Sequence, residues 1–260
     1  MTDLDKILAD MVAAARDAGA LTLSHFKRFR DLEIGIKGPG DFVSDADLQS
    51  EQMIRKHLLT LYPDWSLTGE EFPPVEGENQ EYRFLVDPID GTRAYIAGQD
   101  QWCVSIAVIE NGRPLAGVLE CPARAELIEA GKGVGASQNG AAIRVRLPSP
   151  DEQVTIASAR NMVTALPESW RGRAKVHPYV PSLAYRIAMV ARGDIAGTFI
   201  RPNSHDWDLA AADLILGESG GAILTSDALP IAYGGPTLSH GALVAASGNL
   251  LQEMLSVVAG

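Results

Sequence analysis

The stretch Leu85-Val86-Asp87-Pro88-Ile89-Asp90-Gly91-Thr92 decides how this 260-residue sequence is interpreted. A short β-rich run, Tyr82-Arg83-Phe84-Leu85-Val86, leads into it. Pro88 restricts the residue before it to extended backbone and is expected to end the strand. Asp90 follows three residues after Asp87, and the glycine after it permits a sharp turn. The stretch therefore predicts two carboxylates presented together at the end of a strand.

Two neighbouring carboxylates of this kind have two explanations. If both are ionised about 4 Å apart, they repel by roughly 4 kcal/mol at an effective dielectric near 20, which favours a bound divalent cation or a shared proton. Oxygen ligands favour Mg²⁺, Mn²⁺ or Ca²⁺ over zinc. The alternative is an Asx-type turn in which Asp87 and Asp90 hydrogen-bond local backbone amides. Gly91-Thr92 favours the binding site, because a turn into a helix N-terminus offers N–H groups to phosphate oxygens.

Three further acidic residues are candidates for the same cluster. Glu70 follows a short β-like run, Asp208 precedes an Ala-rich helix, and Asp41 begins the segment Asp41-Phe42-Val43-Ser44-Asp45-Ala46-Asp47. Each has a simpler explanation when taken alone. Glu70 could be half of a solvated acidic pair, Asp208 a helix N-cap, and Asp41 a loop residue before a helix that Ser44 or Asp45 caps.

Composition excludes several classes of protein. The chain has 22 Lys plus Arg and 33 Asp plus Glu, a formal charge of −11, and it lacks the basic stripe of a nucleic-acid-binding protein. No apolar run approaches the roughly 18 residues of a membrane span. Cys103 and Cys121 are too few for a disulfide framework. We expect a soluble, cytoplasmic protein with neither a nucleic-acid polymer nor a membrane as partner.

The two halves of the chain have different periodicities. The first half predicts helices over 4–29 and 46–61, a loop at 38–41, and an antiparallel meander with strands over 82–86, 103–109, 115–119, 126–130 and 142–145. Asn111-Gly112 and Asn139-Gly140 are its hairpin turns. The second half alternates strands over 154–157, 198–200, 222–224 and 243–246 with helices over 182–191, 209–218 and 250–258. This predicts an α/β protein with subdomains 1–147 and 148–260.

Together these segments resemble the inositol monophosphatase family of metal-dependent, lithium-sensitive phosphatases. The resemblance covers nearly the whole chain. It rests on the segment 41–47, Gly69-Glu70-Glu71, Asp87-Pro88-Ile89-Asp90-Gly91-Thr92, and Trp207-Asp208-Leu209-Ala210-Ala211 with Gly220-Gly221 beyond. It implies a layered α/β/α/β/α sandwich with a metal site between its halves. The N-terminal subdomain would carry most ligands, and the C-terminal subdomain would supply Asp208 and the specificity residues.

The resemblance also implies roles for individual residues. Two or three Mg²⁺ ions would be held by Glu70, Asp87, Asp90, Asp208 and the backbone carbonyl of Ile89. Asp41 and Thr92 resemble the pair that positions and activates the attacking water, with Glu70 counted among the catalytic residues. The phosphate would contact the backbone amides of Gly91 and Thr92. A homodimer is also expected from the family.

The substrate is less directly indicated, because Arg93-Ala94-Tyr95-Ile96 departs from the pattern of inositol-phosphate enzymes. A basic residue here looks more like the 3′(2′),5′-bisphosphate nucleotidase branch or like histidinol-phosphate phosphatases. Ser182, Arg186 and Arg201 lie in segments that also look closer to the bisphosphate branch, and with Arg93 they are the expected substrate contacts. The sequence therefore predicts a Mg²⁺-dependent phosphomonoesterase that hydrolyses adenosine 3′,5′-bisphosphate or inositol monophosphate by metal-activated water, with histidinol phosphate as the alternative.

Two other classes of protein remain as alternatives. Gly131-Lys132-Gly133-Val134-Gly135-Ala136 fits the dinucleotide-binding pattern formally, but a second turn follows where that pattern needs a helix, so a glycine-rich hairpin is favoured. A non-enzymatic phosphate- or metal-binding module would keep the carboxylates without the water-activating pair. The five histidines show no zinc-site spacing, and His205 is the one expected to support a metal ligand.

Overall fold

The helices that the sequence predicts begin within three residues of their observed starts, and the short helix over 168–171 is one that the sequence does not predict. The structure is a computed structural model and describes residues 3–28, 34–38, 41–149, 151–158, 162, 166 and 168–258. The helices are α1 (Leu4–Phe26), α2 (Asp45–Leu61), α3 (Thr92–Ile96), α4 (Glu168–Arg171), α5 (Leu183–Ala191), α6 (Asp206–Glu218) and α7 (Gly248–Val258). α2 begins at a capping box formed by Ser44 and Asp47. Residues 39 and 40 of the predicted loop lie outside the described residues.

The first half of the chain forms a seven-stranded sheet in the order β3-β4-β5-β6-β7-β8-β9. Its strands are β3 (Trp65–Gly69), β4 (Asn79–Asp90), β5 (Cys103–Glu110), β6 (Arg113–Cys121), β7 (Glu126–Gly131), β8 (Gly135–Gln138) and β9 (Ala141–Ala142). β3 and β4 are parallel, and the other neighbours are antiparallel. The predicted meander is therefore confirmed, and the glycine-rich segment 131–136 is a hairpin.

The turns and ends of this sheet test the sequence predictions in detail. Asn111 and Gly112 have φ of 50° and 77°, and Asn139 and Gly140 have 50° and 79°, as the predicted turns require. The strand predicted over 142–145 is wrong, because the chain leaves the sheet after β9 and Val145 N bonds to the carbonyl of Ser219 instead.

Pro88 does not end β4, which continues to Asp90. The register shifts between Asp87, which pairs with Ser105, and Asp90, which pairs with Cys103. Pro88 is tolerated inside the strand because a bulge leaves its missing N–H without a ladder partner. The bulge also leaves both carboxylates at the strand's end.

The second half forms a five-stranded sheet in the order β11-β10-β12-β16-β14. These strands are β10 (Val154–Ala157), β11 (Ala174–Val176), β12 (Gly197–Ile200), β14 (Gly221–Thr225) and β16 (Leu243–Ser247). Two strand pairs lie outside the large sheets: β1 (Ile34–Gly38) with β2 (Asp41–Ser44), and β13 (Ser204–His205) with β15 (Ser239–His240). β11 escaped prediction because it has only three residues, Ala174–Val176, and is a largely exposed edge strand, so its apolar alternation is too short to indicate a strand.

The layers follow the order helices, sheet, helices, sheet, helix. α1 and α2 cover the outer face of the first sheet, α5 and α6 lie between the sheets, and α7 covers the second sheet. One buried cluster joins Leu85 of the first sheet, Leu214 of α6 and Leu243 of the second sheet. This confirms the layered sandwich. The division into 1–147 and 148–260 stays a prediction, although the two large sheets fall on either side of it.

Two further features of the fold concern its helices. α6 approaches the first sheet so closely that a Cβ on Gly117 would lie 2.8 Å from the carbonyl oxygen of Ala211. In the described part of the chain, no helix combines the length and the apolar character needed to cross a membrane.

Candidate metal centre and active site

The parallel pairing of β3 and β4 brings the predicted carboxylates to one edge of the first sheet. Glu70 directly follows β3, and its backbone N–H donates to the carbonyl of Val86 at 3.1 Å. Asp87 and Asp90 lie at the end of β4. The first turn of α6 adds Asp208, whose charge acts on both of these β4 residues. Residues distant in sequence thus form one acidic cluster between the sheets.

Asp87 lies at the centre of the cluster. The pKa of this carboxyl is raised well above its usual value, first by burial, then by the charges of Glu70, Asp90 and Asp208, and by a hydrogen bond with Glu70. Asp87 Oδ1 also accepts from the N–H of Ile89 at 2.9 Å. The Asx turn is therefore present, and it occurs together with the carboxylate cluster.

Asp90 is held by the start of α5. Its Oδ1 accepts from Leu183 N at 3.2 Å, and its Oδ2 accepts from Ala184 N at 2.6 Å and from the hydroxyl of Ser182. Burial and the charge of Asp208 raise the pKa of Asp90 to about 7, while these hydrogen bonds act in the opposite direction.

Ser182 does not have the substrate-facing position that the sequence suggested. Its side chain is fully buried, donates to Asp90, and accepts from Tyr185 N at 3.0 Å as the N-cap of α5. The hydroxyl is already used within the protein. Ser182 therefore orients Asp90 and is corrected from a substrate contact to a supporting residue.

Asp208 lies in the acidic cluster, but it is not the N-cap of α6, because His205 holds that position. As the third residue of α6, it accepts the backbone N–H of His205 at 2.7 Å through Oδ2. The imidazole Nδ1 of His205 lies 3.8 Å from the same oxygen, and the pKa of His205 is raised chiefly by its interaction with Asp208. His205 stacks on Trp207, with ring centroids 4.7 Å apart. His205 therefore contacts Asp208, and its support of a metal ligand stays a prediction.

The chemistry of the donor set fits magnesium. The cluster offers carboxylate oxygens from Glu70, Asp87, Asp90 and Asp208, and the nearby Ile89 carbonyl accepts from Thr92 Oγ1 at 3.1 Å. Oxygen donors of this kind suit hard cations, which would also relieve the mutual repulsion. Within the described ranges, no group of three or more Asp, Glu, His or Cys side chains has an arrangement that could hold a metal ion, and Asp90 is hydrogen-bonded to α5.

A second carboxylate site adjoins the cluster. Gly91 has φ of +97°, and a Cβ there would lie 3.0 Å from Ser182 Cβ, so the turn into α3 requires glycine. Thr92, the first residue of α3, has its Oγ1 3.5 Å from Asp47 Oδ1. Asp47 is fully buried, and its Oδ2 accepts from the backbone N–H of Ser44 at 2.8 Å and from its hydroxyl at 2.6 Å.

Asp47 is therefore the functional candidate that sequence reasoning missed. The expected partner of Thr92 was Asp41, whose backbone begins β2 and whose side chain lies outside the described residues. Asp47 ends the same seven-residue segment and follows Ser44 at capping-box spacing. That spacing was the available signal, but it predicts a helix start and not a contact with Thr92.

The three predicted arginines line one cavity beside Asp208. This cavity of about 310 Å³ is bounded by Arg93, Tyr179, Pro181, Leu183, Arg186, Phe199, Ile200, Arg201, Pro202, Asn203, Ser204 and Asp208. Arg186 is only 8% exposed. Its Nε donates to Thr198 Oγ1 at 3.0 Å and its Nη1 to the Val180 carbonyl at 2.9 Å, and it forms no ion pair within the described residues. Burial lowers the pKa of this guanidinium.

Comparison with known proteins gives consistent matches over the whole chain. The model of the inositol monophosphatase family matches residues 3–259. Inositol-1-monophosphatase of Mesorhizobium japonicum is 32% identical over 261 residues, which cover 97% of this chain and 96% of that protein. Nus factor SuhB of Haemophilus influenzae is 32% identical over 269 residues, covering 98% and 96%. The crystal structure of extragenic suppressor protein suhB from Bartonella henselae has a TM-score of 0.87 at 26% identity, covering 97% of this chain and 98% of that one.

Proposed function

This chain belongs to the inositol monophosphatase family of metal-dependent phosphomonoesterases, and we propose that its substrate is a small metabolite with a second anionic group beside the scissile phosphate. Adenosine 3′,5′-bisphosphate is the first candidate, because it carries such a second anion. Inositol monophosphate is the second candidate and histidinol phosphate is the alternative; neither has a second anionic group, so a preference for either would contradict this part of the proposal. The relatives described above carry no nucleotidase name, so the preference for a bisphosphate rests on the arginine-lined cavity.

The ligands of the magnesium ions are the first part of the proposal. Glu70, Asp87, Asp90 and Asp208, with the carbonyl of Ile89, would hold two or three ions. Bound magnesium supplies positive charge that neutralises the phosphate and lowers the pKa of water. The backbone amides of Gly91 and Thr92 would contact phosphate oxygens at the start of α3.

The side chains of Thr92 and Asp47 supply a route for one proton. In the proposed step, the Thr92 hydroxyl turns its one proton from the Ile89 carbonyl to Asp47 Oδ1 and accepts a hydrogen bond from the attacking water, so that the water proton passes to Thr92 as the Thr92 proton passes to Asp47. Asp47 cannot turn away easily, because both Ser44 donors hold its other oxygen. This arrangement distinguishes an enzyme from a module that only binds metal or phosphate.

Arg186 is the observation that carries the choice of substrate. A buried cation is costly unless it is paired, and within the described residues both hydrogen bonds of Arg186 go to uncharged oxygens, with the charge of Asp90 acting on it only at longer range. The same side chain lines a cavity next to Asp208, together with Arg93 and Arg201. A substrate anion in the cavity would pair this guanidinium, which inositol monophosphate cannot do with its hydroxyl groups alone.

The test compares phosphate release from adenosine 3′,5′-bisphosphate, myo-inositol 1-phosphate and histidinol phosphate with Mg²⁺, in the presence and absence of Li⁺. We expect Arg186→Met to raise KM for the bisphosphate about 10- to 100-fold, because a charge-assisted hydrogen bond contributes about 1.5–3 kcal/mol, and to change KM for inositol phosphate little. The exposed Arg201→Met should act in the same direction, and the exposed Arg144→Met is the control. Equal losses on all three substrates would contradict the second-anion proposal, and no Mg²⁺-dependent release from any of them would contradict the phosphatase.

The remaining partners follow the sequence expectations. We propose no nucleic-acid polymer as partner, because the formal charge is −11, although one relative carries the name Nus factor SuhB. A cytoplasmic location and a homodimer stay predictions.

A further inference from the structure

A buried ion pair on α2 lies directly behind the turn that carries Glu70. Glu51 is fully buried, and Arg55, one helical turn later, donates from Nε to Glu51 Oε1 at 2.7 Å. Buried charges are costly unless they are paired and hydrogen-bonded. The other bonds of the two side chains show what the pair does.

The pair satisfies the backbone of the turn from both sides. Glu51 accepts from Glu71 N at 2.7 Å and from Phe72 N at 3.3 Å. Arg55 donates from Nη2 to the Phe72 carbonyl at 2.8 Å and from Nη1 to the Pro73 carbonyl at 3.0 Å. The Glu51 carboxylate therefore accepts hydrogen bonds from backbone amides, and the Arg55 guanidinium donates hydrogen bonds to backbone carbonyls. Together the two side chains specify the path of residues 71–73.

Gly69 shows how closely the turn is held. A Cβ at this position would lie 2.2 Å from Glu51 Oε1, so no side chain fits between the turn and the carboxylate. The guanidinium of Arg55 lies 5.7 Å from the ring centre of Phe72 on the other side of Glu70. Both flanks of Glu70 are thus fixed to α2.

The same face of α2 carries Asp47 one helical turn before Glu51, which gives the helix a second contact with the site. We propose that Glu51 and Arg55 are positioning residues that set the place of Glu70 relative to the Asp47–Thr92 pair. Magnesium affinity then depends on an ion pair outside the ligand set. This inference rests on the proposed function in one respect, because it takes Glu70 as a metal ligand.

The experiment compares Glu51→Gln and Arg55→Met with two controls that change charge equally, the exposed Glu81→Gln and the exposed Lys56→Met next to Arg55. In Glu51→Gln, the new amide NH₂ must face a backbone or guanidinium N–H, because both oxygens of Glu51 accept from such groups. The readouts are the Mg²⁺ dissociation constant by calorimetry without substrate, the Mg²⁺ concentration for half-maximal turnover, and kcat at saturating Mg²⁺.

We expect both Mg²⁺ constants to rise about tenfold or more in Glu51→Gln and Arg55→Met, as for other residues that orient metal ligands. At saturating Mg²⁺, kcat should stay within about threefold, and both controls should match the wild type. Unchanged Mg²⁺ affinity in folded variants would overturn the inference.

Two further outcomes are a variant that does not fold and a wild type that releases no phosphate. If circular dichroism shows that Glu51→Gln does not fold, Arg55→Lys decides by the same affinity measurement, because lysine keeps the charge but cannot reach two carbonyls with a planar fork. If the wild type binds Mg²⁺ but releases no phosphate, the proposed function fails while the affinity comparison still decides the role of the ion pair. A wild type that binds no Mg²⁺ would overturn both.

Discussion

Asp47 occupies the position that a proton acceptor for Thr92 requires. Its Oδ1 faces the Thr92 hydroxyl, and its Oδ2 is occupied by two donors from Ser44. Asparagine would keep the shape but lose the basicity of that first oxygen. The side chain is buried, so solvent cannot readily replace it.

We expect Asp47→Asn to lower kcat by about 10²- to 10⁴-fold, the usual contribution of a general base. Mg²⁺ affinity measured by calorimetry should change little. Asp45→Asn, an exposed change in the same helix turn, is the control. Asp41→Asn decides between the two candidates: if it abolishes turnover while Asp47→Asn does not, the assignment to Asp47 is wrong.

For individual residues of the site, the sequence predicts which side chains are functional candidates better than it predicts which of them are in contact. Glu70, Asp87 and Asp90 could be placed together because strand ends bring their residues to one edge of a sheet. The partner of Thr92 and the burial of Ser182 depend on how α2 and α5 pack, and neither packing arrangement follows from local pattern. Arg186 was identified as a candidate, but its burial was not predictable.

Among the elements, β6 and α6 make the closest contact between the first sheet and the middle layer. Gly117 allows that contact, and α6 carries Asp208 at its start. Gly117→Ala should destabilise the fold by about 1–3 kcal/mol through overpacking, measured by denaturant unfolding. A Cβ at Gly217 of α6 would meet none of the described residues within 4 Å, so Gly217→Ala should instead stabilise the fold by about 0.5–1 kcal/mol. If the two substitutions changed the free energy of unfolding equally, the close contact at Gly117 would not contribute to stability.

Glu120 of β6 makes the contact of the first sheet with α1 dependent on pH. Its Cγ packs where a Cβ on Gly19 would lie 2.7 Å away, and burial raises its pKa to about 7 against the opposing charge of Arg16. The folded state therefore retains a proton that the unfolded state releases near pH 4.5, and this stability is present at acid pH and lost as pH rises through about 7.

We expect Glu120→Gln to raise Tm at pH 8 by about 2–4 °C, corresponding to about 1 kcal/mol after allowance for solvent screening of a half-buried group. At pH 5 the variant and the wild type should melt together. Thermal scans at both pH values check this, with exposed Glu81→Gln as control. A pH-independent difference would mean that packing, and not ionisation, is responsible.

The elements themselves were largely predictable, and the exceptions have physical causes. The two hairpins could be predicted from their Asn-Gly turns, because few other dipeptides accept positive φ at both residues. The extension of β4 through Pro88 was missed because a bulge, which is a property of the pairing with β5, accommodates the proline. β11 was missed because three alternating residues are too few to indicate a strand, and its existence depends on its pairing with β10.

For the whole molecule, the acidic cluster is a source of instability that metal relieves. The formal charge is −11, and two bound dications would make it −11 + 4 = −7. Mg²⁺ should raise Tm well beyond the effect of NaCl at equal ionic strength, with about 2.7 kcal/mol of stabilisation at a hundred times the dissociation constant. Asp87→Asn should melt above the wild type without metal, because it removes one repelling carboxylate, and it should lose the Mg²⁺ response. Equal responses to the two salts would contradict a specific site.

The helices α5 and α6 lie between the two sheets and belong to a buried cluster that both sheets share. The link between the sheets at 143–149 has no regular structure. A peptide bond cut in this link would therefore leave two pieces, each with a large apolar face matched only by the other piece. The pieces should be inactive and aggregation-prone alone, yet recover phosphatase activity when mixed, so that the protein could be used as a split reporter.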